Sequence, residues 1–376
     1  MSTPVSARPT PFLALDETVL DRNIAAMQAR GRQLGVTLRP HAKTHKIAQI
    51  AQRQLAAGGV GLTVATVAEA EAFAAAGFDD LFIAYPLWVD ADRGARLAAL
   101  ARHARVRVGC DSADAARQLG QHTVPAIGTD PGQTGGLEVL VEVDSGMHRS
   151  GVEPQQAGGV GVAAREAGLS VVGVFTFPGH SYAVDGGRRA AAEQEGAALT
   201  AAAQSLREVG IEPRVVSGGS SPSMEFASSH GVSEMRPGVY VVADAQQWEL
   251  GVCEPADVAL TVYATVVSHA SGRAVLDCGS KALGADRAPY ATGSGRLLDH
   301  PDARIVMLSE HHAVADCGPD PLPPLGSVVR VVPNHACNAL NLADEVAVVG
   351  EHRPPGGGPA ATIAHIWPLI ARNANH

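Results

Sequence analysis

Aromatic residues are scarce in this chain. Phe, Trp and Tyr make up 4% of 376 residues, and charged residues 18% against 46% apolar. Disordered chains carry more charge and less apolar surface, so disorder is excluded. No apolar run approaches the roughly 20 residues of a membrane helix, so no membrane partner is expected. Lys and Arg (29) are outnumbered by Asp and Glu (38), for a net charge of −9. That balance, with its cations scattered, excludes a general nucleic-acid binder. The cysteines, Cys110, Cys253, Cys278, Cys317 and Cys337, are odd in number and show no CxxC spacing. They read as reduced thiols, at most one a metal ligand, and not as a disulfide framework. The opening MSTPVSARPTPFLALD has no charged start followed by an apolar stretch. A cytoplasmic protein without a signal peptide is expected.

Up to about residue 245, Ala-rich stretches with helical spacing (VLDRNIAAMQARGRQLG, VAEAEAFAAAG, ADRGARLAALARHA) alternate with short apolar runs (DLFIAYP, VRVGC, LEVLVEV, LSVVGVFTF). That alternation predicts βαβ units and a parallel sheet. About eight units in this length is the size of a (β/α)8 TIM-type barrel. An open doubly wound sheet has the same periodicity. The Ala content itself reads as a coding bias rather than a function. After Ala245 the runs VALTVYATVVSHA, GRAVLDCG, ARIVMLSEHHAVA and SVVRVVPNHAC predict a mostly antiparallel β domain. The expected division is a barrel over 21–245 and a β domain from 1–20 and 246–376. The segment RPPGGGPAA, from Arg353, reads as flexible.

Five segments carry candidate chemistry. LRPHAKTHKIAQIAQ places Arg39, His41, Lys43, His45 and Lys46 where a strand ends and a helix begins, the active-site face of a parallel barrel. A solvated basic helix start is one reading, though cations there oppose the helix dipole. A lysine held among cations, its pKa lowered enough for Schiff-base chemistry, is the other. VSGGSSPSMEF follows a strand and precedes a helical segment, as a phosphate loop would, or a plain turn. Just beyond it, in MRPGVYVVADA, Gly238 would let the backbone approach a phosphate and Tyr240 would donate to it. VEVDSGMHRSG holds Asp144, His148 and Arg149, and FTFPGHSY holds His180 and Tyr182, each past a strand. In VVPNHACNALNL, His335 and Cys337 stand two apart and would share one side of an extended strand. That pair suits a borderline metal such as Zn2+. SEHHA supplies Glu310, His311 and His312 as possible neighbours or as ordinary turn residues.

RPHAKTHK, VDSGMHRSG, SGGSSPS, EMRPGVY and PNHAC occur in an order that resembles the fold-type III pyridoxal phosphate enzymes containing D-threonine aldolases and D-serine dehydratases. That group shares its barrel with alanine racemases. The resemblance spans about Thr10 to Val349. It implies Lys43 as the Schiff-base lysine, with Lys46 as a supporting cation. It puts Ser217, Gly218, Gly219 and Ser220 on the phosphate, with Gly238 and Tyr240 nearby. It sets His180 against the pyridine ring with Tyr182 beside it, and Arg236 where alanine racemases face the pyridine nitrogen. His335 and Cys337 would hold a divalent metal, Zn2+, Mn2+ or Mg2+. A homodimer with shared sites and a small D-amino acid substrate are likewise implied. One departure counts: AVLDCGSKALGADR lacks the racemase tyrosine that would supply the second base, which argues against racemisation.

The implied activity is a lyase on D-β-hydroxy-α-amino acids. Losing the hydroxyl proton drives retro-aldol cleavage to glycine and an aldehyde. Losing the α-proton to Lys43, with the metal expelling the hydroxyl, gives a keto acid and ammonia. His180, His312 or the metal would handle the hydroxyl proton. The resemblance favours the aldolase; Cys337 as a thiolate ligand favours a dehydratase acting on D-serine or D-3-hydroxyaspartate. Arg149 or Lys281 would serve a β-carboxylate. Two other classes remain open, a non-catalytic pyridoxal phosphate carrier and a metal-only protein.

Overall fold

Eight short strands, Thr37–Leu38, Leu62–Val64, Asp80–Pro86, Arg105–Cys110, Gly136–Glu142, Ser170–Phe175, Val215–Gly218 and Glu234–Met235, form one all-parallel sheet in the computed structural model. The structure describes residues 3–127, 136–227, 231–350 and 362–376. Continuous apolar runs such as LFI and VLV have both faces covered, as parallel strands require. A parallel bridge between His41 and Thr63, and the Thr63 amide donating to Pro40 O at 2.8 Å, join the two outer strands. The sheet therefore closes into a (β/α)8 barrel, which decides against the open sheet.

The helices start where the sequence caps them. Thr66 Oγ1 accepts Glu69 N–H (3.0 Å) at the head of Val67–Ala75, and Asp90 Oδ1 accepts Arg93 N–H (2.9 Å) at the head of Ala91–Ala101. Small residues let neighbouring helices close up. A Cβ on Gly94 would fall 2.5 Å from His122 Cβ, on Gly120 2.4 Å from Ala167 O, and on Gly158 2.5 Å from Ser205 O. The Ala/Gly texture read as coding bias thus has a packing reason around the barrel.

Charge fills part of the barrel interior. Arg39 bonds Glu234 at 2.8 Å and Asp80 at 2.6 Å; Arg107 bonds Glu138 at 3.0 Å. Ser217 donates to Glu234 (2.7 Å) and Arg236 to Ser217 (2.5 Å). Burial would raise the Glu234 carboxyl, but Arg39, Ser217 and Arg107 hold it below its ordinary value.

The remaining strands form one sheet ordered Thr3–Pro4, Thr362–Pro368, Glu345–Gly350, Phe12–Asp16, Leu260–Ala270, Arg273–Leu276, Ala313–Asp316, His300–Leu308, Gly295–Leu297, Val328–Pro333. All pairings are antiparallel except Phe12–Asp16 with Glu345–Gly350. Leu260–Ala270 also pairs with Val328–Pro333, closing a six-stranded ring around Val262, Leu276, Ile305 and Val331, all 0% exposed. The chain divides into one unit of Met1–Ala26, Thr44–Arg53 and Val239–Arg372, and another of Met27–Lys43, Gln54–Gly238 and Asn373–His376. The divisions at 26/27 and 238/239 differ from the 20/21 and 245/246 read from the sequence. The segment Thr44–Arg53, placed in the barrel by the sequence reading, groups with the β unit, where Ile370 N–H donates to Lys46 O at 2.9 Å. The flexible RPPGGGPAA reading lies outside the described residues.

Candidate active site

Lys43 sits on the 3-10 turn Ala42–Thr44, five residues past the end of the strand Thr37–Leu38. The turn brings its Nζ to 5.5 Å from the centroid of the Phe177 ring. Phe177 follows the strand Ser170–Phe175, and the Arg149 guanidinium lies against the same ring at 5.3 Å. Cation–π contact with one aromatic ring gathers a lysine and an arginine at the carboxyl ends of the barrel strands. The other cations of the RPHAKTHK cluster go elsewhere. Arg39 points into the barrel interior, and Lys46, at φ 54°, donates to Asn341 Oδ1 at 2.8 Å. Arg149 lies against the ring that Lys43 meets.

Arg149 is delivered by a turn that Asp144 holds. Its Oδ1 accepts the amides of Gly146 (2.8 Å) and His148 (3.1 Å), and Oδ2 bonds His148 Nδ1 at 2.7 Å. Asp144 and His148 are thus turn structure, with the His148 side chain 81% exposed. A small pocket beside Arg149 is lined by Glu142, Met147, Ser150, Thr176 and Phe177. Burial raises Glu142 to about 7, opposed by Ser150 and Arg149, and its Oε2 has no partner among the described residues.

His180 lies on the 3-10 turn Gly179–Ser181. Its Nε2 bonds Gln194 Oε1 at 2.8 Å, its ring packs on the backbone of Gly146, and Nδ1 is buried without a partner among the described residues. Tyr182 is half-buried, its ring 6.4 Å from that of Phe177.

The Gly/Ser loop begins at Ser217 and Gly218, the end of a barrel strand, and turns at Gly219 (φ 88°), where a Cβ would fall 2.9 Å from Met235 Cβ. Only glycine fits both demands. No α-helix follows; the chain makes a single 3-10 turn at Ser223–Glu225, so the expected helix N-terminus is absent among the described residues. Donors gather nonetheless. Ser220 and Ser223 exchange hydroxyl and amide bonds of 2.9–3.1 Å, and Ser181 Oγ lies 2.8 Å from Ser220 Oγ. Beneath them Glu195 accepts Gly219 N–H. Burial raises Glu195 to about 7, so it carries a proton near neutrality and tolerates an anion beside it. An amine, a nest of N–H and hydroxyl donors and two buried polar atoms without partners fit the expected pyridoxal phosphate.

Arg236 is spoken for. It is 4% exposed, donates to Ser217 Oγ and Thr176 O, and lies over Phe82 and Phe175 at 5.5 and 5.4 Å. Burial lowers its pKa against the pull of Glu234, Glu195 and Glu142. Gly238 is half-buried at the end of the barrel unit. Tyr240 belongs to the other unit, half-buried on the 3-10 turn Val239–Val241.

In the β unit the strand Val328–Pro333 stops before the metal-candidate pair. His335 caps a short helix, Ala336–Asn341, and Cys337 lies in its first turn. The extended-strand expectation is corrected, because Pro333 ends the ladder and Asp244 Oδ2 takes the Ala336 amide at 3.0 Å to start a helix. The two side chains still meet by hydrogen bond. Cys337 Sγ is 3.3 Å from Thr44 Oγ1, and Asp286 Oδ2 holds His335 Nδ1. Burial lowers the His335 pKa, but Cys337, Asp244 and Asp286 together raise it to about 10. Such an excess of anionic donors around one imidazole is what a dication neutralises. Among the described residues no group of three or more His, Cys, Asp or Glu makes a complete metal shell. A two-donor site leaves positions open for water or substrate, as catalytic sites do. His312 lies in the exposed turn between His300–Leu308 and Ala313–Asp316, its carbonyl accepting Ser309 N–H at 2.8 Å. Nothing among the described side-chain interactions brings it to His335 or Cys337.

Phe177, Glu142, Glu195, Thr44, Asp244 and Asp286 escaped the sequence reading. Thr44 stood inside a quoted motif, next to Lys43, and Asp244 had the local signature of a helix cap. Asp286, 49 residues from His335, had no signal.

The family model for the alanine racemase N-terminal domain matches residues 15–246, and that for a putative serine dehydratase domain matches residues 259–349. The chain is 36% identical over 353 residues to the D-threo-3-hydroxyaspartate dehydratase of Delftia sp. (strain HT23), covering 87% of this chain and 90% of that protein. The crystal structure of D-threonine aldolase from Filomicrobium marinum superposes with a TM-score of 0.87 at 31% identity, covering 100% of this chain and 99% of that one. A Cys-to-Ala mutant of D-threo-3-hydroxyaspartate dehydratase in the metal-free form superposes with a TM-score of 0.85 at 31% identity, over 97% and 98% of the two chains.

Proposed function

Because the chain belongs to the fold-type III pyridoxal phosphate family that joins an alanine racemase-type barrel to a serine dehydratase domain, we propose that it is a pyridoxal phosphate- and divalent metal-dependent lyase of D-β-hydroxy-α-amino acids. The observation that carries the proposal is the His335/Cys337 donor pair in the β unit of a chain whose Lys43 stands on the turn after the first barrel strand.

When bound, pyridoxal phosphate supplies the electron sink and the metal a Lewis acid for the substrate hydroxyl. Lys43 would hold the cofactor covalently and would serve as the base at Cα, a role worth about 10²–10⁴-fold. The Ser220 and Ser223 hydroxyls, on the turn at Gly219, would hold the phosphate. His180, packed against Gly146 and tethered by Gln194, would hold its ring against the bound cofactor. His335 and Cys337 would hold the metal, with Thr44 beside the Cys337 sulfur to orient it.

Elimination to a keto acid and ammonia is favoured by Cys337, since a thiolate selects Zn2+, an effective Lewis acid toward hydroxyl. The 36% identical dehydratase and its metal-free Cys-to-Ala mutant support that direction. Retro-aldol cleavage to glycine and an aldehyde, the outcome the sequence reading leaned to, is the second reading; the likeness to D-threonine aldolase supports it. A homodimer in the cytoplasm belongs to the same reading, supported by family membership; sedimentation tests the dimer. Among the described residues no helix is long and apolar enough to cross a membrane.

The test is a product assay with cofactor and Zn2+ supplied. D-threo-3-Hydroxyaspartate, D-serine and D-threonine are fed beside their L-enantiomers, and keto acid plus ammonia is quantified against glycine plus aldehyde. Keto acid from the D-substrates alone is expected. Turnover of neither kind overturns the proposal.

A further inference from the structure

Asp286 has no assigned part in the reaction, yet it is the group that grips the metal-candidate histidine. Its Oδ2 bonds His335 Nδ1, and its Oδ1 is buried with no partner among the described residues. The carboxylate therefore has one described commitment, to the imidazole.

The loop carrying it is built to keep it there. The short helix Ser280–Leu283 ends at Gly284, whose φ of 78° suits glycine, and a Cβ there would lie 3.3 Å from Asn338 Cβ and 3.4 Å from Asp286 Oδ1. Gly284 N–H donates to Ser280 O at 2.9 Å, and Arg287 grips Ala291 O with two bonds of 3.0 and 2.7 Å. The histidine's own backbone is fastened as firmly. Asn334 Nδ2 donates to Gly293 O (2.8 Å), Gln246 N–H to Asn334 O (3.2 Å), and Ala336 N–H to Asp244 Oδ2 (3.0 Å).

A neutral imidazole carries one proton. A carboxylate accepting at Nδ1 places it there and leaves Nε2 as the lone-pair donor. Asp244 does not compete for the ring, since its two oxygens are held by the amides of Gln247 and Ala336. We infer that Asp286 is the positioning residue of the metal centre, fixing His335 with Nε2 as the donor to the divalent cation. The inference rests on the metal-dependent reading above, and it deepens that reading by naming what sets the affinity of a site with only two protein donors.

The experiment compares the full-length parent with Asp286→Asn and Asp286→Ala, cofactor-loaded and stripped of metal. Zn2+ affinity is measured by competition with a chromophoric chelator, with cofactor absorbance and thermal unfolding followed in parallel. Outer-shell carboxylates typically contribute 10–100-fold to metal affinity. The Asn variant should therefore bind Zn2+ about tenfold more weakly and the Ala variant up to about 100-fold, with cofactor absorbance unchanged. Equal affinity in all three proteins overturns the inference. So does a Co2+-substituted variant whose spectrum at saturation shows a lost ligand, which would make Asp286 itself a donor. A nitrogen-15 NMR measurement needs no metal. It should find a downfield Nδ1 proton on His335 in the parent and not in the Ala variant. If the parent binds no metal, the lyase reading loses its Lewis acid while this signal still decides; its absence from the parent overturns the inference.

Discussion

Lys43 Nζ stands 5.5 Å from the Phe177 ring centroid, and the Arg149 guanidinium meets the same ring at 5.3 Å. The shared ring holds both cations at the strand ends, where Arg149 gives an incoming carboxylate a partner. Phe177→Leu should keep the fold and lower turnover by roughly 10-fold, with Arg149→Ala raising KM for anionic substrates more than it lowers kcat. Steady-state kinetics on serine and hydroxyaspartate substrates would separate the two effects. An Arg149→Ala enzyme with unchanged KM for both would remove the arginine from substrate binding.

Gly219→Ala should weaken cofactor binding. The residue sits at φ 88°, and the added Cβ would fall 2.9 Å from Met235 Cβ. Strain of about 1–3 kcal/mol is expected at such a position. Cofactor titration followed by visible absorbance should show at least a several-fold weaker midpoint, and a midpoint equal to the parent's would contradict the role given to this turn.

Glu234→Ala should be among the most damaging changes in the barrel. Glu234 is 4% exposed and bonds Arg39 and Ser217, with Arg107 at 3.6 Å. Its loss leaves Arg39 with Asp80 alone and Arg107 with Glu138 alone and removes the acceptor of the Ser217 hydroxyl, a cost of up to about 3–5 kcal/mol. Urea unfolding monitored by circular dichroism would measure it.

Glu195 ties stability to pH. Burial raises its folded-state pKa from 4.5 to about 7. The folded protein then binds more protons than the unfolded chain across that window. Stability should fall as pH rises from about 4.5 to 7 and flatten above it. Glu142, also raised to about 7, acts in the same sense. Glu195→Gln keeps an acceptor for Gly219 N–H and should remove part of the slope, at most about 3 kcal/mol. Denaturant unfolding at pH 5 and pH 8 would test it; an unchanged difference between the two pH values would contradict the assignment.

The barrel was legible because its strands are continuous apolar runs bounded by Gly, Pro and His, and because RPHAKTHK falls where a barrel strand ends. What escaped reading depends on distant partners. DLFIAYP gives no sign that Asp80 meets Arg39, and ALGADR none that Asp286 meets His335. The HxC spacing suggested a shared strand face, but a proline-ended strand and the Asp244 contact to Ala336 N–H turn it into a helix start. Arg236 shows what position along the chain leaves out. Its position after the last barrel strand was evident, and its commitment to Ser217 and Thr176 was not.

The measurement that bears most directly on the account is turnover of D-threonine by the parent, Lys43→Ala and His335→Ala, with cofactor and Zn2+ supplied and cofactor absorbance recorded. The account predicts an active parent, a Lys43→Ala protein without the bound-cofactor band, and a His335→Ala protein that keeps the band, both variants slower by about 10²-fold or more. A His335→Ala enzyme at the parent's rate, or a Lys43→Ala enzyme that retains both band and rate, would contradict it.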